Sequence, residues 1–509
     1  QNHLGTYFMH IQIEKRSASL AQKLFRADQV RNNEEHAAQK SLCNLYSLMQ
    51  RAGKVVFQHS LELVPDAENY LVIVGKGNNA GDGYITALHA LQADKDVTVC
   101  AVEPERELHG DVLAAREAFL AAGGFVQAFN PNMLKNMDII IDALLGTGLQ
   151  GTIRPEFAKV ITAVNQSDVP VLAVDIPSGL NADTGQSLAD FIQADMTVTF
   201  IGIKQGLVTA AGKQASGQLI FEDLDIGAAF TEICPSNTHL LNLSQYKKLA
   251  PRQIDSHKGI YGRLLCIGGN NGMSGAIRLA GEAALRAGTG LVKIYAHSAS
   301  QMQISAGRPE LMVTTTDLPA SLEWANCIVL GPGLGQDEWA IETFKQVLNY
   351  CQKTAKPIVI DADALNLLPQ HASSFTTDAC IMTPHTGEAA RLLETTVEDV
   401  DSNRYNSARL LARRYKATCI LKGAGTIIDN GHRTWVCEHG NPGMATAGMG
   451  DVLSGILGAM LAQNMQFTDA AKYGVCVHGH AADIIASEFG ERGMLASDIF
   501  DQVRRLINT

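Results

Sequence analysis

One grammar runs through both halves of the chain: a short, almost wholly aliphatic stretch, then a glycine-rich turn, then a helical pattern. In the first half the aliphatic stretches read YLVIVG (70–75), VTVCAV (97–102), MDIIIDALL (137–145), VPVLAVDIP (169–177) and MTVTFIG (196–202). In the second they read RLLCIGG (263–269), GLVKIYA (290–296), CIVLGPG (327–333), KPIVIDA (356–362), ACIMTP (379–384) and ATCILKG (417–423). Strands this uniformly apolar are buried on both faces, which is the condition of a parallel sheet covered by helices. Helical patterns separate most of them, as crossovers between parallel strands require; DVLAAREAFLAAGG (111–124) has helical spacing and a glycine stop. The predicted fold class is therefore α/β.

The alternation breaks at TEICPSNTHLLNLSQYKKLAPRQIDSHKG (231–259), which holds two Pro, several Asn and Ser and a small basic cluster. A domain boundary is expected near 235–245. The two halves share grammar but no sequence, so two fused α/β domains are predicted rather than a solenoid. With 46% hydrophobic and 18% charged residues the chain can bury large cores. No stretch of about 18 apolar residues is present, so no membrane span is expected. The balance of 41 Lys+Arg against 52 Asp+Glu gives no electrostatic footprint for nucleic acid. Ten Cys lie singly, without a CxxC pair and mostly inside apolar runs, as free thiols of a reducing, cytoplasmic compartment would. Residues 1–26 lack the apolar core of a signal peptide, and without an initiator Met they read as a processed or appended tail.

Residues 70–90, YLVIVGKGNNAGDGYITALHA, form a strand, a Gly/Asn-rich turn and a helix start. The turn is neither GxGxxG nor GxxxxGK[ST]. Two readings stand side by side: backbone N–H groups at a helix N-terminus that suit a phosphate, or a tight turn whose Gly and Asn supply positive φ. Two further strand ends favour a cleft. Asp142 lies in IIIDALLGTGLQGTIR (139–154) and Asp175 in VLAVDIPSGLNADTG (171–185), each an acid at the carboxyl end of a strand before a Gly-rich loop. That edge is where ligands bind in open α/β sheets. A single Asp there is commonly a helix cap; three such loops are harder to explain as caps.

GNNAGDG, DALLGTG and VDIPSGLNADTG together resemble the YjeF N-terminal family, the NAD(P)HX epimerases, from about Leu24 to Phe230. NAD(P)HX is hydrated NADH or NADPH with a hydroxyl at C6 of the nicotinamide ring, and the family interconverts its R and S epimers. The resemblance implies a Rossmann-like αβα sandwich over 24–235. It places the substrate on Asn78, Asn79, Ala80, Gly81, Asp82 and on Gly146, Thr147, Gly148, Leu149, Gln150, Gly151, Thr152. It sets Asp175 at the reacting carbon, where it would act as general acid/base. It makes Asn79, Asp142 and Ser178 ligands of a potassium ion, an oxygen-donor set that suits an alkali cation.

The second half ends four strands in Gly-rich strings: IGGNNGMSGA (267–276), LGPGLG (330–335), LKGAGTII (421–428) and NPGMATAGMGDVLSGILGAM (441–460). Asp451 sits just inside a helix after a Gly-rich turn. N–H groups there can hold a transferring phosphoryl while the Asp accepts the proton of an attacking alcohol. An acid at a helix start is also simple dipole-favourable capping. Lys422, which could meet a phosphate charge, favours phosphoryl chemistry.

GGNNGMSGA, DADALNLL (361–368), TPHTGE (383–388), LKGAGT and AGMGDVLSG resemble the ribokinase superfamily, and within it the ADP/ATP-dependent NAD(P)HX dehydratases. Sugar kinases of that superfamily tend to carry DTxGAGD where this chain has ATAGMGD, which favours a dehydratase. The resemblance implies a ribokinase-like αβα domain over 243–509. Ala276, Gly333, His385 and Asp451 would contact the hydrated nucleotide, and Lys422, Gly423, Ala424, Gly425, Thr426 and Gly450 would hold ADP. Mg2+ would accompany the ADP, with Glu388 and Asn366 as candidate contacts. Asp451 would take the proton of the C6 hydroxyl as it attacks the terminal phosphoryl, and the phosphate would then leave, giving NAD(P)H, AMP and phosphate. His478 and His480 are two apart, do not share a helix face and read as structural. A homo-oligomer is expected from the resemblance. Two other readings remain at this level: a kinase of a vitamin-like alcohol with an accessory N-terminal domain, and an N-terminal domain that only binds.

Overall fold

The computed structural model describes residues 12–13, 22–149, 151–187, 189–246 and 249–508. They divide into two compact units at residues 240/241.

The first unit is built on an eight-stranded sheet whose pairings are all parallel. From one edge the strands run Gln12–Ile13, Gln218–Glu222, Met196–Phe200, Val171–Val174, Ile139–Ala143, Asn69–Val74, Asp96–Ala101 and Val126–Ala128. Chain order reverses between Asn69–Val74 and Ile139–Ala143, the topological switch point of a doubly wound sheet. Helix Pro155–Asn165 buries Phe157, Val160, Ile161 and Val164 against one face, where they meet Leu71, Ile140 and Ala173. A smaller patch pairs Lys23–Phe25 with Thr238–Leu241, antiparallel, and with Ile203–Lys204, parallel. The opening helical stretch is three helices, Ala27–Arg31, Glu34–Lys40 and Leu45–Leu63.

The second unit orders its strands Met312–Thr314, Leu291–Tyr295, Arg263–Ile267, Cys327–Leu330, Ile358–Ile360, Cys380–Met382 and Thr418–Leu421, all parallel. Strands Ile427–Asp429 and Thr434–Cys437 follow antiparallel. Here the switch point falls between Arg263–Ile267 and Cys327–Leu330. Beyond its first turn helix Met449–Ala462 is apolar but for Ser454, and all of those residues are buried. All ten cysteines are free and nine are buried, six of these nine in strands. Among the described residues no helix is long and apolar enough to cross a membrane.

Candidate active sites

In the first unit, strand Ile139–Ala143 brings Asp142 to the carboxyl edge beside the switch point. Its buried carboxylate accepts the Ser178 hydroxyl at 2.6 Å, the Ser178 N–H at 2.8 Å and the Leu144 N–H at 3.3 Å. The Ser178 hydroxyl also accepts from the Leu145 N–H at 2.8 Å. Asn79 Nδ2 donates to the Leu145 carbonyl at 3.4 Å, and its Oδ1 is buried without a hydrogen-bond partner. Burial pushes the Asp142 carboxyl up to about 6, against the hydrogen bonds from Ser178 and Leu144. An orphaned buried carbonyl costs about 1–3 kcal/mol, and a desolvated carboxylate adds its own penalty. A cation among these oxygens would relieve both, so the donor set fits potassium.

Asp175 directly follows the adjacent strand, Val171–Val174, with φ at +62°, a left-handed conformation that Asp tolerates better than most residues. Its Oδ1 accepts from Thr199 Oγ1 and the Phe200 N–H, both at 3.1 Å, and from Lys204 Nζ. Lys204 is 2% exposed. It is fixed by bonds to Phe200 O (3.0 Å) and Thr199 Oγ1 (3.2 Å) and by its strand's pairing with Phe25. Two further carboxyls feel the same charges. Burial lifts Glu34 to about 7, Lys204 opposing and Asp175 reinforcing. Burial, Asp175 and Glu34 push Asp82 well above the carboxylate range. Glu34 and Asp82 therefore hold their protons to higher pH than ordinary carboxyls do, beside the Asp175–Lys204 pair. Lys204 and Glu34 escaped the sequence reading; a Lys inside the apolar run TFIGIKQGLV was the available signal for the first.

The glycines of GKGNNAGDG do not supply positive φ, so the tight-turn reading is corrected. They allow close approach: a Cβ at Gly83 would lie 2.6 Å from Ala143 Cβ, and one at Gly81 2.4 Å from Met49 Cε. Helix Asn78–Gln92 therefore presses onto the sheet, and no side chain caps its first N–H groups. Asn78 is exposed, Asn79 and Ala80 are buried, and a Cβ at Gly146 would lie 3.1 Å from Asn79 Cβ. Thr147, Gly148, Leu149, Gly151 and Thr152 continue that loop beside the helix start; Gln150 lies outside the described residues.

In the second unit, strand Thr418–Leu421 delivers Lys422 to the edge. Its Nζ donates to Asp361 Oδ1 at 3.0 Å and lies 3.8 Å from Glu388 Oε2. Asp361 also accepts the Ser454 hydroxyl at 2.7 Å. Burial works against the Lys422 charge, yet Asp361 and Glu388 hold its pKa above the usual value. Gly450 abuts this pair: a Cβ there would sit 3.4 Å from Lys422 Nζ and 3.7 Å from Asp361 Oδ2. Asp451 occupies the first turn of Met449–Ala462, a helix without a side-chain cap. Burial, then the Asp361 charge, raises its carboxyl to about 7, with Lys422 opposing. Burial likewise lifts Glu388 to about 7. A proton acceptor near pH 7 beside a buried ammonium and free helix N–H groups is equipped for phosphoryl transfer to an alcohol.

The Lys422–Thr426 loop is shaped from below by Arg404, 3% exposed and absent from the sequence reading. Its guanidinium donates to the carbonyls of Leu421 (3.3 Å), Lys422 (3.2 Å), Ala424 (2.6 Å) and Gly425 (3.2 Å). A Cβ at Gly423, φ +147°, would fall 2.6 Å from that guanidinium. Because the peptide unit is planar, carbonyls drawn inward turn their N–H groups outward, a backbone cup suited to an anion.

Gly333 and Ala276 are neighbours; a Cβ on the former would lie 3.2 Å from Ala276 Cβ. His385 caps helix Thr386–Leu393: Nδ1 accepts the N–H of Gly387 at 3.0 Å and Glu388 Oε2 accepts the His385 N–H at 2.8 Å. Burial and Lys422 lower its pKa, so neutral imidazole keeps its proton on Nε2, on a ring that is 56% exposed. Asn366 Oδ1 is engaged by Arg391 at 2.8 Å, whereas Glu388 lies within the Lys422 cluster. His478 is buried against Met449, its pKa lowered to about 4 by that burial.

Two edge clefts, each pairing free helix N–H groups with proton-holding carboxyls, define an α/β nucleotide-processing enzyme. Residues 45–206 match the YjeF-related protein N-terminus and residues 264–505 the NAD(P)H-hydrate dehydratase family. The chain is 43% identical to the bifunctional NAD(P)H-hydrate repair enzyme Nnr of Escherichia coli, over 97% of this chain and 96% of that one. It is 40% identical to the Coxiella burnetii enzyme of the same name, over 95% and 99%. A solved ADP/ATP-dependent NAD(P)H-hydrate dehydratase from Bacillus subtilis aligns at 27% identity and TM-score 0.45, over 51% of this chain and 93% of that one. The chain belongs to the bifunctional NAD(P)H-hydrate repair enzyme family.

Proposed function

We propose that residues 24–235 epimerise NAD(P)HX and residues 243–509 dehydrate its S epimer at the expense of ADP. The observation that carries the reading is the Lys422–Asp361–Gly450–Asp451 assembly. Asp451 accepts the C6 hydroxyl proton as that oxygen attacks the terminal phosphoryl of ADP, and AMP leaves. The ring nitrogen's lone pair then expels phosphate from C6, and loss of a C5 proton restores the double bond of NAD(P)H. Lys422 and the cup at 423–426 hold the nucleotide phosphates. Magnesium bound with ADP would supply charge neutralisation; of its two candidate contacts, Glu388 lies in the Lys422 cluster, whereas the Asn366 oxygen is taken by Arg391. In the first unit, Asp175 protonates the departing C6 hydroxyl and recovers a proton from water entering on either face. Asn79, Asp142 and Ser178 would hold potassium, which supplies a fixed positive charge beneath the substrate loops. Ten free thiols suit a reducing cytoplasm.

The test is a mixture of R and S hydrated NADH, followed at the reduced-nicotinamide absorbance as ADP and magnesium are added. Conversion of both epimers with stoichiometric AMP supports both activities; a stable phosphorylated product would return the second unit to the small-molecule kinases. Exchanging potassium for choline is expected to slow the R-epimer phase at least tenfold while the S-epimer phase keeps its rate. Arg404→Met is expected to raise KM for ADP roughly 10- to 100-fold through loss of charge-assisted bonds worth about 1.5–3 kcal/mol. Arg404→Lys should recover part of the loss, with epimerisation unchanged in both variants.

A further inference from the structure

Beside the second unit's switch point lies an aromatic cluster with no role so far. Tyr295 ends strand Leu291–Tyr295, His297 follows it, and Trp339 sits in the first turn of helix Glu338–Thr354. The Trp339 ring lies parallel to Tyr295 within 10°, centroids 6.3 Å apart, and edge-on to His297 at 5.5 Å. All three are partly exposed. The cluster is tied to the substrate turns. His297 N–H donates to Gly269 O at 3.3 Å. Buried Asn270 Nδ2 donates to Asp337 Oδ1 at 2.9 Å, the oxygen that caps the helix of Trp339. The Asn270 N–H donates to Gly333 O at 2.7 Å, and Gly333 adjoins Ala276.

We propose that Trp339, with Tyr295 and His297, is a shelf for the adenine ring of the dinucleotide substrate, an inference that rests on the dehydratase reading above. Tyr295 stands three strands from Ile358–Ile360, the strand that ends at Asp361 in the reacting cluster. At about 4.8 Å per strand step the separation is about 14 Å. An extended dinucleotide, with two riboses and a pyrophosphate between its rings, bridges such a span. Its middle falls over the switch point, where helix Ser274–Arg286 begins without a side-chain cap and the Gly268–Asn270 and Gly331–Gly335 turns converge. Nicotinamide at Asp451, pyrophosphate at the switch point and adenine on Trp339 thus fall in one line along the strand ends. ADP's own phosphates lie on the other side, at Lys422.

The test is Trp339→Ala in the full chain, assayed with (S)-hydrated NADH and with hydrated reduced nicotinamide mononucleotide, which lacks the adenosine half. Base–aromatic stacking predicts a rise in dinucleotide KM of about 5- to 150-fold. The mononucleotide KM and the KM for ADP stay fixed, and Trp339→Phe recovers most of the affinity. An unchanged dinucleotide KM, or an equal rise for both substrates, overturns the shelf. If the unsubstituted chain converts neither hydrate, the dehydratase reading fails, and the shelf is read separately by fluorescence. NAD+ then quenches the unsubstituted chain more than Trp339→Phe, and nicotinamide mononucleotide does not; equal quenching by NAD+ overturns the shelf. The same titration decides the case if Trp339→Ala does not fold.

Discussion

Asp451→Asn abolishes ADP-driven formation of NADH, lowering kcat by about 10²- to 10⁴-fold, the usual worth of a positioned general base. The substitution keeps shape and removes only proton-accepting capacity. The helix N–H groups, Lys422 and the Arg404-shaped cup remain, so the KM for ADP changes little. Interconversion of R and S epimers continues at its former rate, since its groups belong to the first unit; chromatographic equilibration from one pure epimer reads it directly. The unsubstituted chain carries a pH signature as well. With the Asp451 carboxyl near 7, dehydration loses about tenfold per pH unit as pH falls below that value and levels off above it. The same raised pKa makes the site costly. The folded chain binds this proton up to about pH 7 and the unfolded chain only to about pH 4. Stability therefore declines as pH rises between those values. Asn removes that term, so the inactive variant melts at a higher temperature at neutral pH, measured by thermal unfolding at pH 5 and pH 7.5.

Asp175→Asn converts the full-chain assay from one phase into two. The S fraction still yields NADH at the normal rate, while the R fraction feeds in only by spontaneous epimerisation, slowed about 10²- to 10⁴-fold relative to the unsubstituted chain. Lys204→Met reaches the same kinetic result by a different route. It leaves Asp175, Asp82 and Glu34 crowded without their ammonium, and removing one partner of such a buried pair costs about 3–5 kcal/mol. Asp175→Asn takes the other partner of the same pair and leaves the buried Lys204 ammonium without its carboxylate, so both variants lose several degrees of melting temperature. A full-speed R phase in Asp175→Asn would remove Asp175 from the chemistry.

Asp142 and Asp175 were legible because each lies at the end of a short aliphatic strand, so local pattern sets them at the carboxyl edge, and Asp451 because it opens a helix after a Gly-rich turn. The residues that complete the sites were not. Lys204 lies on a two-residue strand, too short for any periodicity, and meets Asp175 only through the tertiary fold. Glu34 comes from a helix far earlier in the chain. Arg404 shares its helix with Arg409, Arg413 and Arg414, and nothing in the string marks which guanidinium turns inward. Asp361 stood within DADALNLL yet acquires its role only when Lys422 and Ser454 close on it. The hairpin Ile427–Asp429 to Thr434–Cys437 was overlooked although Asn430–Gly431 between its strands is a turn signal. Where the glycines of GKGNNAGDG were weighed for backbone freedom, volume decided instead.

The buried thiols give the chain a set of built-in reporters. Cys100 lies in a strand of the first unit, and Cys266, Cys327, Cys380 and Cys419 in strands of the second, all essentially without solvent contact. Desolvation lifts Cys100 and Cys266 to about 12, so neither offers a thiolate to an alkylating reagent while its sheet is intact. Modification must wait for the strand to open, and its rate then measures the free energy of opening. Mass mapping of alkylated peptides would follow the two sheets separately in one sample, with no label introduced.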